Sequence, residues 1–151
     1  MRKNNGFNAK YTINVDFDGT CVTHKYPFIG KDIGAVPVLQ RLAAHGHQLI
    51  LFTMRSNKLV DIHDPDTIGE TYTNTLSDAI NWFKKNEIPL YGIQSNPTQK
   101  HWTSSPKSHA DIMIDDSALG CPLIYPNGDR PYVDWVMVEK ILEEDGLFDI
   151  Y

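Results

Sequence analysis

The chain is poor in several features that would settle its class early. It has two cysteines in 151 residues, Cys21 and Cys121, too few for a disulfide framework, which points to a reducing compartment. No apolar run approaches the ~18 residues that a membrane helix needs. Residues Met1 to Lys10 are basic and polar without an apolar centre, so they do not read as a signal peptide. Positive charge is not in excess: 14 Lys and Arg stand against 19 Asp and Glu, a net charge of −5. That balance argues against a general nucleic-acid coat protein and leaves room only for a local basic patch. Internal repeats and low-complexity stretches are also lacking. The expectation is a polar tail over 1–10, a single domain over 11–151, and a cytoplasmic location.

What is present is an ordinary globular composition, 41% hydrophobic and 22% charged, with alternating strand and helix patterns. Tyr11 to Phe17 reads as a first strand, carrying the β-branched Ile13 and Val15. A loop, Cys21 to Lys31, holds His24, Tyr26 and Pro27 and is either a small flap over the strand's end or a plain surface loop. Asp32 to Gly46 reads as a helix with Val36, Leu39, Leu42 and Ala43 inward and Gly46 as its stop. His47 to Thr53 is a nearly continuous apolar strand of the kind buried in parallel sheets. From Met54 to Thr73 the pattern is lost; Asp61, His63, Asp64 and Asp66 cluster there, and irregular spacing with Pro65 favours a solvated loop over a metal site. A loop of this length also suits a lid.

Asn74 to Glu87 returns to helix, with Leu76, Ile80 and Phe83 on one face and Trp82 beside it. Leu90 to Ile93 is a short strand. Ser95 to Ala110 contains no acid but carries Lys100, His101, Trp102, Lys107 and His109. Asp111 to Asp115 is a further apolar strand, Ile124 to Pro131 a short strand and turn, and Val133 to Glu144 a closing helix with Val136, Ile141 and Leu142 inward. The order predicts an α/β fold: a single Rossmann-like domain with a mostly parallel central sheet flanked by helices. Open parallel sheets bind ligands at the carboxyl ends of their strands. Three strands here end in polar residues: Asp16 and Asp18, Thr53, and Asp115 with Asp116.

The first of these ends is the most informative. In an extended strand, positions i and i+2 face one side, so Asp16 and Asp18 converge. Two close carboxylates repel unless a cation or a proton joins them. Gly19 permits close approach of a ligand, and Thr20 can cap the next turn. Hard oxygen donors at this density suit Mg²⁺, which binds through one or two carboxylates plus substrate phosphate. One carboxylate can then attack phosphorus while the other transfers protons.

These residues resemble the haloacid dehalogenase (HAD) superfamily of phosphohydrolases. Asp16-Phe17-Asp18-Gly19-Thr20 matches its first motif, Thr53 after Leu49-Ile50-Leu51-Phe52 its second, a lysine of the basic stretch its third, and Asp115-Asp116 after Ile112-Met113-Ile114 its fourth. The spacings are similar to those of small phage and bacterial members that have no large cap domain.

The resemblance implies Asp16 as nucleophile and Asp18 as general acid/base. It implies Mg²⁺ held by the Asp16 carboxylate, the Asp18 backbone carbonyl and Asp116, with Asp115 holding the lysine or a metal-bound water. Thr53, Lys107 and Gly19 would contact phosphate. In small members the lysine closely precedes the fourth-motif strand, which favours Lys107 over Lys100.

Arg55 is either a substrate contact or a surface arginine. Trp102 and Tyr26 either stack on a base or sugar or pack partly in the core. Cys21 and Cys121 are by default small buried hydrophobes. The implied activity is a Mg²⁺-dependent phosphatase, its partner a small phosphorylated metabolite or nucleotide, with a homo-oligomer open. The alternatives are a polynucleotide-end (3′-phosphate) phosphatase and a silent phosphate- or phosphoprotein-binding module.

Overall fold

A computed structural model describes residues 9–58, 60–61 and 71–149. The expected polar tail lies almost wholly outside the described residues, as do His63, Asp64 and Asp66 of the loop cluster. The architecture is the α/β arrangement that the pattern predicts: four parallel strands with three helices.

The strands β1 (Thr12–Val15) and β2 (Gln48–Leu51) are built from the two apolar runs. The ribbon strands β3 (Val60–Asp61) and β4 (Thr71–Tyr72) come next, then β5 (Gly92–Ile93) and β6 (Ile112–Ile114) of the main sheet. A second ribbon, β7 (Leu123–Ile124) and β8 (Tyr132–Val133), closes the list. The main sheet has the order β5-β2-β1-β6, every pairing parallel. Strand β1 is therefore central, hydrogen-bonded on both edges, with Val15 level with Leu51 on one side and Ile114 on the other.

Helices α1 (Ala35–Ala44), α2 (Thr75–Lys85) and α3 (Trp135–Glu144) bury their apolar stripes. In α1 the buried residues are Ala35, Val38, Leu39 and Leu42, a spacing of three and four that keeps one face inward. Pro37 falls in the first turn, where backbone N–H groups lack helical acceptors anyway. Together with Ile13, Val15, Phe17, Leu49, Leu51 and Phe83, these side chains form one core.

Two inward assignments from the sequence shift. In α2 the fully buried residues are Thr75, Ala79, Trp82 and Phe83, while Leu76 and Ile80 are partly buried beside them. In α3, Val136 is exposed and Trp135, Val138 and Leu142 are buried. The cause is the helix start: Asp134 caps α3 by accepting from Met137 N–H (3.2 Å), and Val133 belongs to β8. The indole N–H of Trp135 donates to the Thr20 carbonyl (2.7 Å), which fixes the helix's rotation.

No helix crosses from β5 to β6. Apart from one 3₁₀ turn at Gln99–His101, that connection is irregular, and it lies against the polar positions of β1. The Asn14 side-chain amide donates to the Ser108 carbonyl (3.1 Å) and its oxygen accepts from Ser108 Oγ (3.0 Å), with both residues buried. A buried amide must be satisfied in this way, because stranding it would cost about 1–3 kcal/mol. No helix among the described residues is long and apolar enough to cross a membrane.

Candidate active site at the carboxyl edge of the sheet

Because all four main strands run the same way, their carboxyl ends share one edge. Strand order reverses at β1, between β2 and β6, and such reversals open a crevice outside the strand ends. A cavity of about 500 Å³ occupies this place, lined by Asp16, Asp18, His24, Tyr26, Thr53, Met54, Arg55, Asp115, Asp116, Ser117 and Arg130. The three polar strand ends picked out from sequence thus meet in one space.

Asp16 follows β1 directly, and its N–H donates to the Ile114 carbonyl (3.0 Å), extending the pairing with β6. Oxygens of Asp16, Asp115 and Asp116 all lie within 4.8 Å of one another. Adjacent residues of an extended strand point to opposite sides, which would turn one of Asp115 and Asp116 away from the site. Both reach it, because β6 ends at Ile114 and the two residues lie on the following turn, where the two-residue period no longer holds.

The crowding has an electrostatic consequence. The Asp16 carboxyl is pushed from 3.8 up to about 8, first by burial, then by the Asp115 charge, with a hydrogen bond to Asp116 adding to it; bonds from Phe17 N–H and Thr20 pull the other way. Three hard oxygen donors whose charges repel suit a divalent cation. Mg²⁺ fits this donor set through Asp16, Asp115 and Asp116. No described residue hydrogen-bonds the Asp18 carbonyl, which leaves it open to the same ion.

Thr20 couples the first and last motifs. Its hydroxyl donates to Asp16 Oδ2 (2.9 Å) and accepts from Asp116 N–H (3.1 Å). His24 of the flap pairs with Asp116 Oδ2 at 2.9 Å. Asp115 Oδ1 accepts from the N–H and hydroxyl of Ser117 (2.8 and 2.7 Å).

Gly19 has φ +78°, and a Cβ there would stand 2.1 Å from His24 Nε2 and 2.6 Å from Asp116 Oδ2. Its N–H already donates to the Val22 carbonyl (2.8 Å). The absence of a side chain at Gly19 is what lets the His24–Asp116 pair close beside it.

Asp18 and Arg55 form the most strongly bonded pair of the site. Arg55 Nε and Nη2 donate to the two Asp18 oxygens (2.8 and 2.7 Å). Nη1 donates to the Pro27 and Thr75 carbonyls (3.0 and 3.3 Å), and Nη2 also to the Phe28 carbonyl (2.7 Å). The guanidinium lies 4.9 Å from the Phe17 ring centre and 5.3 Å from that of Tyr26. Arg55 is 1% exposed. It is neither a surface arginine nor a free substrate contact, since its five N–H donors make five bonds.

Thr53, two residues beyond the end of β2, lines the cavity. Its Oγ1 accepts from Arg55 N–H (3.2 Å), leaving the hydroxyl proton for a ligand. Gln94, just past β5, brackets Thr53 by accepting from its N–H (2.9 Å) and donating to its carbonyl (2.7 Å).

Neither candidate lysine is among the residues that line this cavity. Lys107 is exposed and lines a separate groove with Trp102, His109, Asp111 and Met113, and Lys100 lines another with Asn96 and Thr103. The neighbouring Ser108 is bonded to Asn14 of β1, which holds this stretch against the sheet. Trp102 is exposed, with its ring edge-on to His109, so it does not pack in the core, and it is not among the residues lining the acidic cavity. Tyr26 stands half-exposed at the cavity rim.

Cys21 is buried, and its thiol is pushed well above its ordinary value by burial and by Asp16 and Asp18. Sγ donates to the Asp16 carbonyl (3.3 Å), so the group is a packed hydrophobe and not a thiolate. Burial also raises the Cys121 thiol.

Sequence reasoning passed over His24, Gln94 and Arg130 as site residues. Gln94 carried the same signal as Thr53, a polar residue just after an apolar strand. His24 and Arg130 sit on loops with no periodic signal.

No protein-family model and no curated protein matches the sequence. A solved structure of a conserved protein from Bacteroides thetaiotaomicron is similar over 90% of this chain and 92% of its own, with 31% identity and a TM-score of 0.65.

Proposed function

This chain belongs to the family of that conserved Bacteroides thetaiotaomicron protein, and we propose that it is a Mg²⁺-dependent phosphatase that hydrolyses phosphomonoesters through an aspartyl-phosphate on Asp16. The observation that carries the reading is the convergence of Asp16, Asp115 and Asp116 within 4.8 Å, in a cavity that Thr53 also lines. It agrees with the resemblance of these segments to the HAD superfamily.

Mg²⁺, when bound by the three carboxylates, would supply the positive charge that lets them coexist with a phosphate dianion. Asp16 attacks phosphorus through a carboxylate oxygen, the bond to the leaving oxygen breaks, and Asp18 gives that oxygen a proton. A water then attacks the aspartyl-phosphate, Asp18 takes its proton, and the Asp16–phosphorus bond breaks to release phosphate. Thr53 donates its hydroxyl to a phosphoryl oxygen. To carry a proton, Asp18 must loosen its two bonds to Arg55, so that pair sets when the acid is ready.

The substrate is a small phosphorylated metabolite or nucleotide. The basic stretch with Trp102, which would suit a polynucleotide end, does not border the cavity. The locked Asp18 favours a second reading, a module that binds phosphate without turning it over.

Release of phosphate from p-nitrophenyl phosphate and about a hundred phosphomonoesters, a 3′-phosphorylated oligonucleotide among them, separates these readings. Mg²⁺-dependent turnover lost in Asp16→Asn is expected. A wild type inactive on the whole panel would end the phosphatase reading.

A further inference from the structure

Arg130 has no role in the motifs discussed above, yet it is the cation best placed to meet an incoming phosphate. Among the described residues, the cavity is lined by four carboxylates, Asp16, Asp18, Asp115 and Asp116, and by Arg55, Arg130 and His24. Arg55 is saturated by its five bonds and neutralises Asp18. His24 is held by Asp116. The Arg130 guanidinium, by contrast, has no bonded partner among the described residues. Its neighbour Asp129 accepts from the Arg130 backbone N–H (2.8 Å), not from the side chain.

The hairpin that carries Arg130 is fastened to the catalytic turn. Arg130 precedes Pro131 and strand β8, and Val133 N–H donates to the Gly19 carbonyl (3.0 Å). Trp135, at the start of α3, holds the Thr20 carbonyl. The segment after Asp18 and the strand that follows Arg130 are therefore tied together, which keeps the backbone leading to Arg130 beside the site. Lys107 and Lys100 line other grooves.

We propose that Arg130 binds the phosphoryl group of the substrate, the task that the family resemblance gives to a lysine. The inference rests on the phosphatase reading for its substrate, but as a phosphate-binding claim it can be measured apart from turnover. A guanidinium presents paired donors to two phosphate oxygens, which a lysine at the same place cannot do. The ligand class is a phosphate monoester or inorganic phosphate.

The test titrates inorganic phosphate into Mg²⁺-loaded wild type, Arg130→Ala, Arg130→Lys and Lys107→Ala by calorimetry. The same four proteins are assayed on p-nitrophenyl phosphate with phosphate as competing product. Arg130→Ala is expected to weaken phosphate binding by roughly ten- to a hundredfold, the range for hydrogen bonds to charged groups, and to raise KM by a similar factor. Arg130→Lys should recover part of the loss, and Lys107→Ala should match wild type. Arg130 is exposed, so its variants should keep the wild-type Tm.

Phosphate affinity within twofold of wild type in Arg130→Ala, or a loss in Lys107→Ala instead, would overturn the proposal, as would absence of phosphate binding by the wild type. Phosphate binding through Arg130 in a wild type that turns over no ester would retain this inference and remove the phosphatase reading.

Discussion

Asp16 and Asp18 stand two residues apart and meet opposite surroundings. Asp18 faces a guanidinium whose remaining donors hold Pro27, Phe28 and Thr75. Removing Arg55 would strand a carboxylate and three carbonyls, and breaking a buried pair by deleting one partner costs about 3–5 kcal/mol. Arg55→Ala should lower Tm by roughly 6–20 °C at ~2–4 °C per kcal/mol, measurable by scanning calorimetry. Asp16 faces other acids. Its carboxyl is raised from 3.8 to about 8, so the folded state holds a proton that the unfolded chain releases. Stability without metal is then highest below about pH 4 as far as this group is concerned, and is lost as pH rises toward 8. Asp16→Asn removes that charge and should raise the metal-free Tm at pH 8 by a few degrees while abolishing turnover. A variant less stable than wild type under those conditions would contradict the crowding. Gly19→Ala should be tolerated poorly, because its Cβ would enter the His24–Asp116 pair at positive φ.

The elements carry the next set of constraints. Imidazole of His47, just before β2, accepts from Tyr11 N–H at Nδ1 (3.1 Å) and donates from Nε2 to the Leu147 carbonyl (2.6 Å). Only the neutral ring can do both, and burial lowers its pKa below 6.5. The unfolded chain therefore takes up a proton first, and the stability His47 contributes is full above about pH 6.5 and lost as pH falls below it. Hydrogen-exchange protection at residues 147–149, taken relative to the intrinsic rate, should fall as pH drops below about 6.5, and His47→Phe should remove that dependence. The elements were largely legible in the sequence. Ile13 and Val15, Leu49 to Leu51, and Ile112 to Ile114 announced buried parallel strands through β-branching and unbroken apolarity. The starts of α1 and α3 were not so legible. Gly34 at φ +93° delays α1 to Ala35, and Asp134 delays α3 to Trp135; both are cap decisions made by local backbone geometry. The β7–β8 pairing depends on contacts with Gly19 and Pro122 that no local pattern records.

Across the whole molecule, the site is a product of topology. The order β5-β2-β1-β6 puts Asp16, Thr53, Gln94 and the Asp115–Asp116 turn on one edge, and all of these but Gln94 followed from apolar strands ending in polar residues. The cations did not follow. Arg55 is recognisable only once five acceptors converge on it, and Arg130 only once β8 is fastened to the turn after Asp16, while Lys107, beside the Asn14-bonded Ser108, lines a separate groove. If the three carboxylates form a metal centre, Mg²⁺ should raise Tm more at pH 8 than at pH 5, where Asp16 keeps its proton against the ion. Equal shifts at both pH values would place the ion elsewhere. The central claim is that Asp16 becomes phosphorylated, and the most direct measurement is mass spectrometry of protein acid-quenched during turnover of p-nitrophenyl phosphate. The account predicts a phosphoryl group on the peptide carrying Asp16, dependent on Mg²⁺ and absent from Asp16→Asn. Turnover that leaves this peptide unmodified, or phosphorylation at another residue, would contradict it.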